Sequence, residues 1–178
     1  MPASHVAIYN DFRGPNNSLT YREPSANLAL GEAVTTIQRG SADRMVAGTT
    51  GSGIGPIRAL HVASQSEISL NGDDPAAACR PFDANRSGMV AGEGAAAMVL
   101  EDRDLALARG ATIYGEILGH ASSVVLDSQS VADVRTAVAN AVRGALRNAN
   151  VTPDALGHIH AHGLGTRHAD REEAQGIN

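Results

Sequence analysis

The sequence predicts an α/β protein whose sheet is at least partly parallel. Short apolar runs alternate with helix-patterned segments along the chain. Glycine is abundant, at 19 of 178 residues, while aromatic residues make up 3% and Trp is absent. Such a chain packs through small and β-branched side chains at close backbone approach. Glycine then serves tight turns and crowded helix–sheet contacts, which offset its entropy cost.

Residues 1–17 read as loop, because Pro2, Gly14 and Pro15 break regular structure and Asn16-Asn17 favours a turn. Ser18–Arg22 is a short strand candidate. A helix is expected from Ser25 to Arg39, with Ser25 as N-cap, Leu28, Ala29, Ala33 and Ile37 as its apolar face, and Gly40 as its stop. Arg44–Ala47 reads as a short buried strand running into the Gly-rich loop GTTGSGIGP, and Pro56 opens a second helix to about Ser64. Asn71–Asp83 is a turn-rich loop. Ala95–Glu101 is an apolar strand bounded upstream by Gly92-Glu93-Gly94, followed by a short helix, Leu105–Arg109, that ends at Gly110. Thr112–Gly119 resembles another strand. The clearest helix runs from Ser130 to Asn148, where Val131, Val134, Val138, Ala141, Val142, Ala145 and Leu146 recur at helical spacing. A strand, Gly157–His162, precedes a polar tail that starts a helix near Ala169.

Composition narrows the function classes. Hydrophobic residues at 43% and charged residues at 19% belong to a folded globular chain. A net charge of −5 with no run of Lys or Arg argues against a nucleic-acid partner. The single cysteine, Cys79, excludes an intrachain disulfide framework and a Cys-rich zinc site. No apolar stretch approaches the roughly 20 residues that span a bilayer, and MPASHVAIYN lacks the basic start and apolar block of a secretory signal. A cytoplasmic protein without a membrane partner is expected.

Three sets of residues invite a chemical reading. Gly51, Gly53 and Gly55 give G-x-G-x-G, which is neither the dinucleotide fingerprint nor a P-loop with its lysine, so a strained strand-to-helix turn is the better reading. His158, His160 and His162 alternate and would share one face of a regular strand, where they could bind zinc with Asp170 or Glu173 as a further ligand, the chemistry of a zinc hydrolase. The blander alternative is one functional histidine beside two that are packed or solvated. In CRPFDANRSGMVAGEGAAAMVL, Asp83 and Arg86 can pair around a turn, and Glu93 is expected to be partly buried and satisfied by hydrogen bonds. Cys79 has no histidine paired with it in sequence and reads as an inert thiol.

The stretches CRPFDANRSGMVAGEGAAAMVLED, LARGATIYGEILGHASS and HAHGLGTRHADREEAQGI resemble, in order, the β-ketoacyl-[acyl-carrier-protein] synthases. FRGPNNSLTYREPSANLALGEAVTTIQRGSADRMVAG resembles the segment around that family's nucleophile. The resemblance implies a thiolase-like fold, layered α-β-α-β-α and incomplete in this chain. Residues 1–110 would be part of the N-terminal half and residues 111–178 the start of the C-terminal half. It also implies that the chain begins just before the nucleophile segment and ends after the first histidine motif, without the family's later lysine and second catalytic histidine.

The family condenses acyl and malonyl groups carried on acyl carrier protein, in fatty-acid or polyketide biosynthesis. By resemblance His162 is the first catalytic histidine, and Thr166 contacts the phosphopantetheine arm, which arrives on the carrier protein, so no resident cofactor is expected. Leu164 stands where the family has another threonine, and Asp170 and Glu173 match acidic residues with a structural role. Glu23 falls on the nucleophile cysteine, counted from Gly14-Pro15 or back from Gly31-Glu32-Ala33. A carboxylate cannot make a stable thioester, and its acylation gives a high-energy anhydride. The expectation is a synthase relative, an acyltransferase by family, that is deficient in condensation. The alternative is a non-catalytic partner resembling a chain-length factor. Either would act as a homodimer, or as a heterodimer with an intact synthase, paired through Ser18–Arg22.

Overall fold

A computed structural model describes residues 2–69 and 74–178. The residues of the Asn71–Asp83 loop that fall in 71–73 lie outside the described set. Two units are present: Met1–Thr50 with Ala95–Ile117, and Gly51–Gly94 with Leu118–Asn178.

The first unit opens with a helix where a loop was expected: α1 spans Pro2–Tyr9. Pro2 suits a first helical position, since its missing N–H is one the helix leaves unpaired anyway. Ser18–Arg22 forms no strand. Its donors are met locally instead, the Ser18 N–H by Asn17 Oδ1 at 2.8 Å and the Tyr21 N–H by Ser25 Oγ at 2.7 Å. Ser25 is therefore not the N-cap of α2 (Ser25–Gln38). Pro24 holds that place, and the Ser25 hydroxyl reaches back to the preceding turn. The helix buries Gly31, Ala33 and Thr36 and stops at Gly40, whose φ of 70° a glycine adopts without strain.

β1 (Arg44–Ser52) is longer than expected and absorbs half of the Gly-rich loop; only Ala47 along it is buried. Its partner is β2 (Glu93–Glu101), and together they make a two-stranded sheet, the sheet found among the described residues. The pair is antiparallel. Arg44 meets Glu101, a Cβ on Gly48 would meet Ala96 and Ala97, and Ser52 meets Glu93. An isolated parallel bridge, Ile68 with Met89, lies outside these strands. α4 (Arg103–Ala108) is capped by Asp102, whose side chain accepts from the N–H groups of Asp104 and Leu105. At the end of β2, Glu101 is bound by Arg44 (2.6 Å) and by Arg109 (2.7 Å). Hydrogen bonds first from Arg109 and then from Arg44 hold its carboxyl down at about 2.

In the second unit α3 (Pro56–Gln65) starts at the proline, as its sequence predicts. α5 (Val134–Ala149) begins later than expected. Asp133 caps it through the Thr136 N–H, a bond that lowers the Asp133 carboxyl, and Asn150 closes it in the left-handed conformation. α6 (Arg167–Ile177) packs on α5. Their approach is set by Gly176, where a Cβ would come within 2.6 Å of the Arg135 carbonyl oxygen. Nearer its C-terminal end α5 takes another chain segment just as closely, since a Cβ on Gly119 would lie 2.6 Å from the Ala145 oxygen.

Thr112–Gly119 and Gly157–His162 carry strand-like sequence but form no strand. A strand is defined by its neighbour, and no described residue pairs with either segment in a ladder. Among the described residues the buried hydrophobic ones are alanines, Ala33, Ala47, Ala78 and Ala106, while Met98 and Val99 on β2 are 55% and 68% exposed. Adjacent strand residues face opposite sides, so both faces of β2 carry exposed apolar side chains.

Candidate functional site

The site is built on the turn that leads into α6. Gly163 and Gly165 adopt φ of 60° and 85°, so the chain folds back twice within His162–Thr166. Space as well as conformation requires glycine here. A Cβ on Gly163 would lie 2.9 Å from Pro81 Cβ, and one on Gly165 would lie 2.7 Å from the Gly88 carbonyl oxygen. The turn therefore lies against the Pro81–Met89 segment, and the Gly88 N–H donates to the Gly165 oxygen at 3.1 Å.

Two carboxylates of α6 hold the turn. Asp170 and Glu173 are three residues apart and share a helix face. Glu173 accepts the backbone N–H of His162 at 2.7 Å on one oxygen and that of Gly163 at 2.9 Å on the other. Asp170, 1% exposed, accepts the N–H of Gly165 at 2.9 Å and, across the chain, the N–H of Phe82 at 2.8 Å. Arg86 pairs with the buried Asp170 carboxylate at 3.3 Å. The same guanidinium donates to the carbonyl oxygens of Thr166 (3.2 Å), Arg167 (2.9 Å) and Asp83 (2.8 Å).

The sequence-predicted residues fall as follows. The His162 side chain is exposed at the turn whose backbone Glu173 clamps. Thr166 is 7% exposed and caps α6, its hydroxyl oxygen accepting the Ala169 N–H at 3.3 Å. Leu164 is half-buried between them. Asp170 and Glu173 have the structural role the resemblance gave them. Asp83 and Arg86 do not form the expected ion pair. Arg86 turns to Asp170, and Asp83 instead accepts the Asn85 N–H at 2.6 Å. Arg86 is the part of this site that sequence reasoning missed. Its partners lie some 80 residues away, and no local signal marks them.

His158 and His160 are exposed, and their segment is not a strand, so the alternation that would align them with His162 does not operate. Among the described residues no group of three or more His, Cys, Asp or Glu is placed to hold a metal ion. The acidic side chains expected to help, Asp170 and Glu173, are engaged with backbone N–H groups. Cys79 is an exposed free thiol. Glu93 is exposed rather than partly buried, although it does accept the Ser52 hydroxyl at 2.9 Å. Glu23, in the first unit, is exposed in the turn just before α2.

The Gly-rich segment borders a hollow of about 450 Å³ lined by Gly51, Ser52, Gly53, Arg58, Val62, Gly92, Glu93 and Gly94. Without a lysine anywhere in the chain it is no P-loop.

A family model described as the β-ketoacyl synthase N-terminal domain matches residues 1–106, and one described as the C-terminal domain of the same family matches residues 114–178. The chain belongs to the β-ketoacyl synthase family. The chain is 36% identical over 179 residues to 3-oxoacyl-[acyl-carrier-protein] synthase 2 of Synechocystis sp., covering 99% of itself and 43% of that relative. It is 42% identical over 146 residues to the ketoacyl synthase alpha subunit of the tetracenomycin polyketide synthase of Streptomyces glaucescens, covering 82% of itself and 34% of that subunit. Among solved structures it is similar to a type II polyketide ketosynthase in complex with its acyl-carrier protein and bound to a hexaketide. That match has a TM-score of 0.89 at 28% identity and covers 98% of this chain and 43% of that one. A β-ketoacyl synthase from Burkholderia phymatum matches with a TM-score of 0.78 at 34% identity, over 86% of this chain and 37% of that one.

The chain thus spans less than half the length of these relatives. Its fold is α/β and thiolase-like, a partial domain. No described helix is long and apolar enough to cross a membrane.

Proposed function

We propose that this chain is a β-ketoacyl-[acyl-carrier-protein] synthase relative of fatty-acid or polyketide biosynthesis, deficient in condensation, that receives acyl groups on acyl carrier protein. The observation that carries the reading is the His162–Thr166 turn, held by Asp170 and Glu173, in a chain matched to the family along nearly its whole length. In this reading residues 1–110 belong to the N-terminal half of the synthase and residues 111–178 begin the C-terminal half. His162 offers a hydrogen bond to the malonyl thioester oxygen, where negative charge develops as the malonyl group loses CO2. A donor aimed there works only if its backbone is fixed beforehand, and the clamp on the His162 and Gly163 N–H groups supplies that. Thr166 stands where the phosphopantetheine arm of the carrier passes. The arm comes with the substrate, and the chain needs no cofactor of its own.

Glu23 occupies the nucleophile position in this reading. Moving an acyl group from a thioester to a carboxylate gives a mixed anhydride, more activated than the thioester it came from, so the transfer runs uphill. A charged Glu23 also repels the malonyl carboxylate. A non-catalytic partner subunit of the chain-length-factor kind is the second reading. It is favoured by the exposed apolar residues on both faces of β2, which suit a chain that is covered by another polypeptide. Pairing through Ser18–Arg22, as a homodimer or with an intact synthase, fits both readings.

The test is to incubate the chain with acyl- and malonyl-carrier proteins and follow both binding and product. Carrier binding without a β-ketoacyl product is expected. Formation of that product by the chain alone overturns the deficiency, and the absence of binding to any carrier form overturns the family function for this chain.

A further inference from the structure

Arg86 is the hub through which two stretches far apart in sequence are tied together. Its side chain is 15% exposed, and its four acceptors come from three places: the Asp83 turn, the entry to α6 at Thr166 and Arg167, and the Asp170 carboxylate. The Asp170 carboxylate has no exposed surface, and a carboxylate taken out of water is stable only where a cation and hydrogen-bond donors replace the water. Arg86 supplies the cation. Phe82 and Gly165 supply backbone donors, one from each of the stretches that the guanidinium joins. A planar fork with five donors can serve the carboxylate and the helix-entry carbonyls together, whereas an ammonium cannot reach all of them.

Thr166 sits inside this arrangement. Its carbonyl is bound by Arg86, its hydroxyl caps α6, and the Gly165 N–H just before it is bound by Asp170. We propose that Arg86 is a positioning residue: paired with Asp170, it sets where Thr166 and the His162 turn stand for the carrier's phosphopantetheine arm. This rests on the carrier-binding reading given above. Arg86 itself touches no reacting atom. It acts through Asp170 and the α6 entry, and removing it leaves a buried carboxylate without its counter-charge and three carbonyls without their side-chain donor.

The experiment compares the wild-type chain with Arg86→Lys, Arg86→Gln and the charge-neutral double variant Arg86→Gln/Asp170→Asn. Amide hydrogen exchange is read at Phe82, Gly165 and His162, and at α5 as an internal reference. Binding of holo-acyl carrier protein is titrated in parallel. Exchange at Phe82 and Gly165 should quicken at least tenfold in Arg86→Gln while α5 is unchanged, with carrier binding weakened about tenfold. Arg86→Lys should fall between Arg86→Gln and wild type, since it restores charge but not the fork. If Arg86→Gln does not fold, Arg86→Lys and the double variant, which leaves no charge unpaired, carry the same two readouts. Local exchange and carrier binding equal to wild type in the folded variants overturn the proposal. If wild type itself fails to bind the carrier, the carrier-binding reading and the arm-positioning role fall together. Selective exchange at Phe82 and Gly165 then still separates a hub at Arg86 from a residue with no such role.

Discussion

The Glu173 carboxylate accepts the backbone N–H of His162 at 2.7 Å and that of Gly163 at 2.9 Å, so a helix side chain fixes the peptide that carries the histidine. A histidine placed by its backbone keeps its ring free to face a ligand.

Glu173→Ala removes both of these charge-assisted bonds. A loss of about 2–3 kcal/mol is expected in urea unfolding, because bonds to charged groups contribute about 1.5–3 kcal/mol each and water replaces them in part. Glu173→Gln keeps one acceptor oxygen and should lose about half as much. An unchanged midpoint in Glu173→Ala would mean that the clamp does not hold the turn.

Gly165→Ala should be poorly tolerated. Its φ of 85° disfavours any side chain, and the added Cβ would meet the Gly88 carbonyl at 2.7 Å. The conformation alone costs about 1–3 kcal/mol, and the contact adds to it. Gly115→Ala is the control, since nothing lies within 4 Å of its Cβ position, and it should stay within about 0.5 kcal/mol of wild type. Thermal melts of the two variants measure the difference.

Glu101 makes stability depend on pH in one direction. Its carboxyl is lowered from an ordinary 4.5 to about 2 by hydrogen bonds from Arg109 and then Arg44. A depressed acid stabilises the fold fully above its unfolded value. That contribution is lost as pH falls from about 4.5 through about 2. Urea midpoints measured at pH 7 and pH 3 should therefore fall less in Glu101→Gln than in wild type. An equal fall in both would mean that the two arginines do not favour the ionised form.

Incubation with acyl-carrier protein should leave the intact mass of the chain unchanged, because Glu23 offers no thiol. Glu23→Cys supplies the missing thiol, and the mass of one acyl group should then be added to the chain. A stable acyl adduct on the unmodified chain at residue 23 sinks the reading of Glu23.

Helices that announce themselves in composition were legible: α2 by its apolar face and Gly40, α3 by Pro56, α6 near Ala169. Their signals are local, within one turn of the residues they govern. α1 is not legible in the sequence because Pro2, Gly14 and Pro15 signal a loop, though Pro2 sits at a first helical position, where proline is accommodated. The expected strands failed differently. Ser18–Arg22, Thr112–Gly119 and Gly157–His162 have strand-like sequence, but a ladder needs a neighbour, and which segments lie side by side is not a local property.

By itself the sequence determined the family and the residues of the His162–Thr166 motif, because these are matters of residue type and order. Only the tertiary structure decided which N–H groups the motif's acidic residues accept, and that Arg86 pairs with the Asp170 carboxylate while taking only the carbonyl oxygen of Asp83. The physical reason is burial. A carboxylate with no exposed surface takes the cation and N–H groups that folding brings within reach; the Gly165 N–H is local, but the Arg86 cation and the Phe82 N–H come from more than 80 positions away.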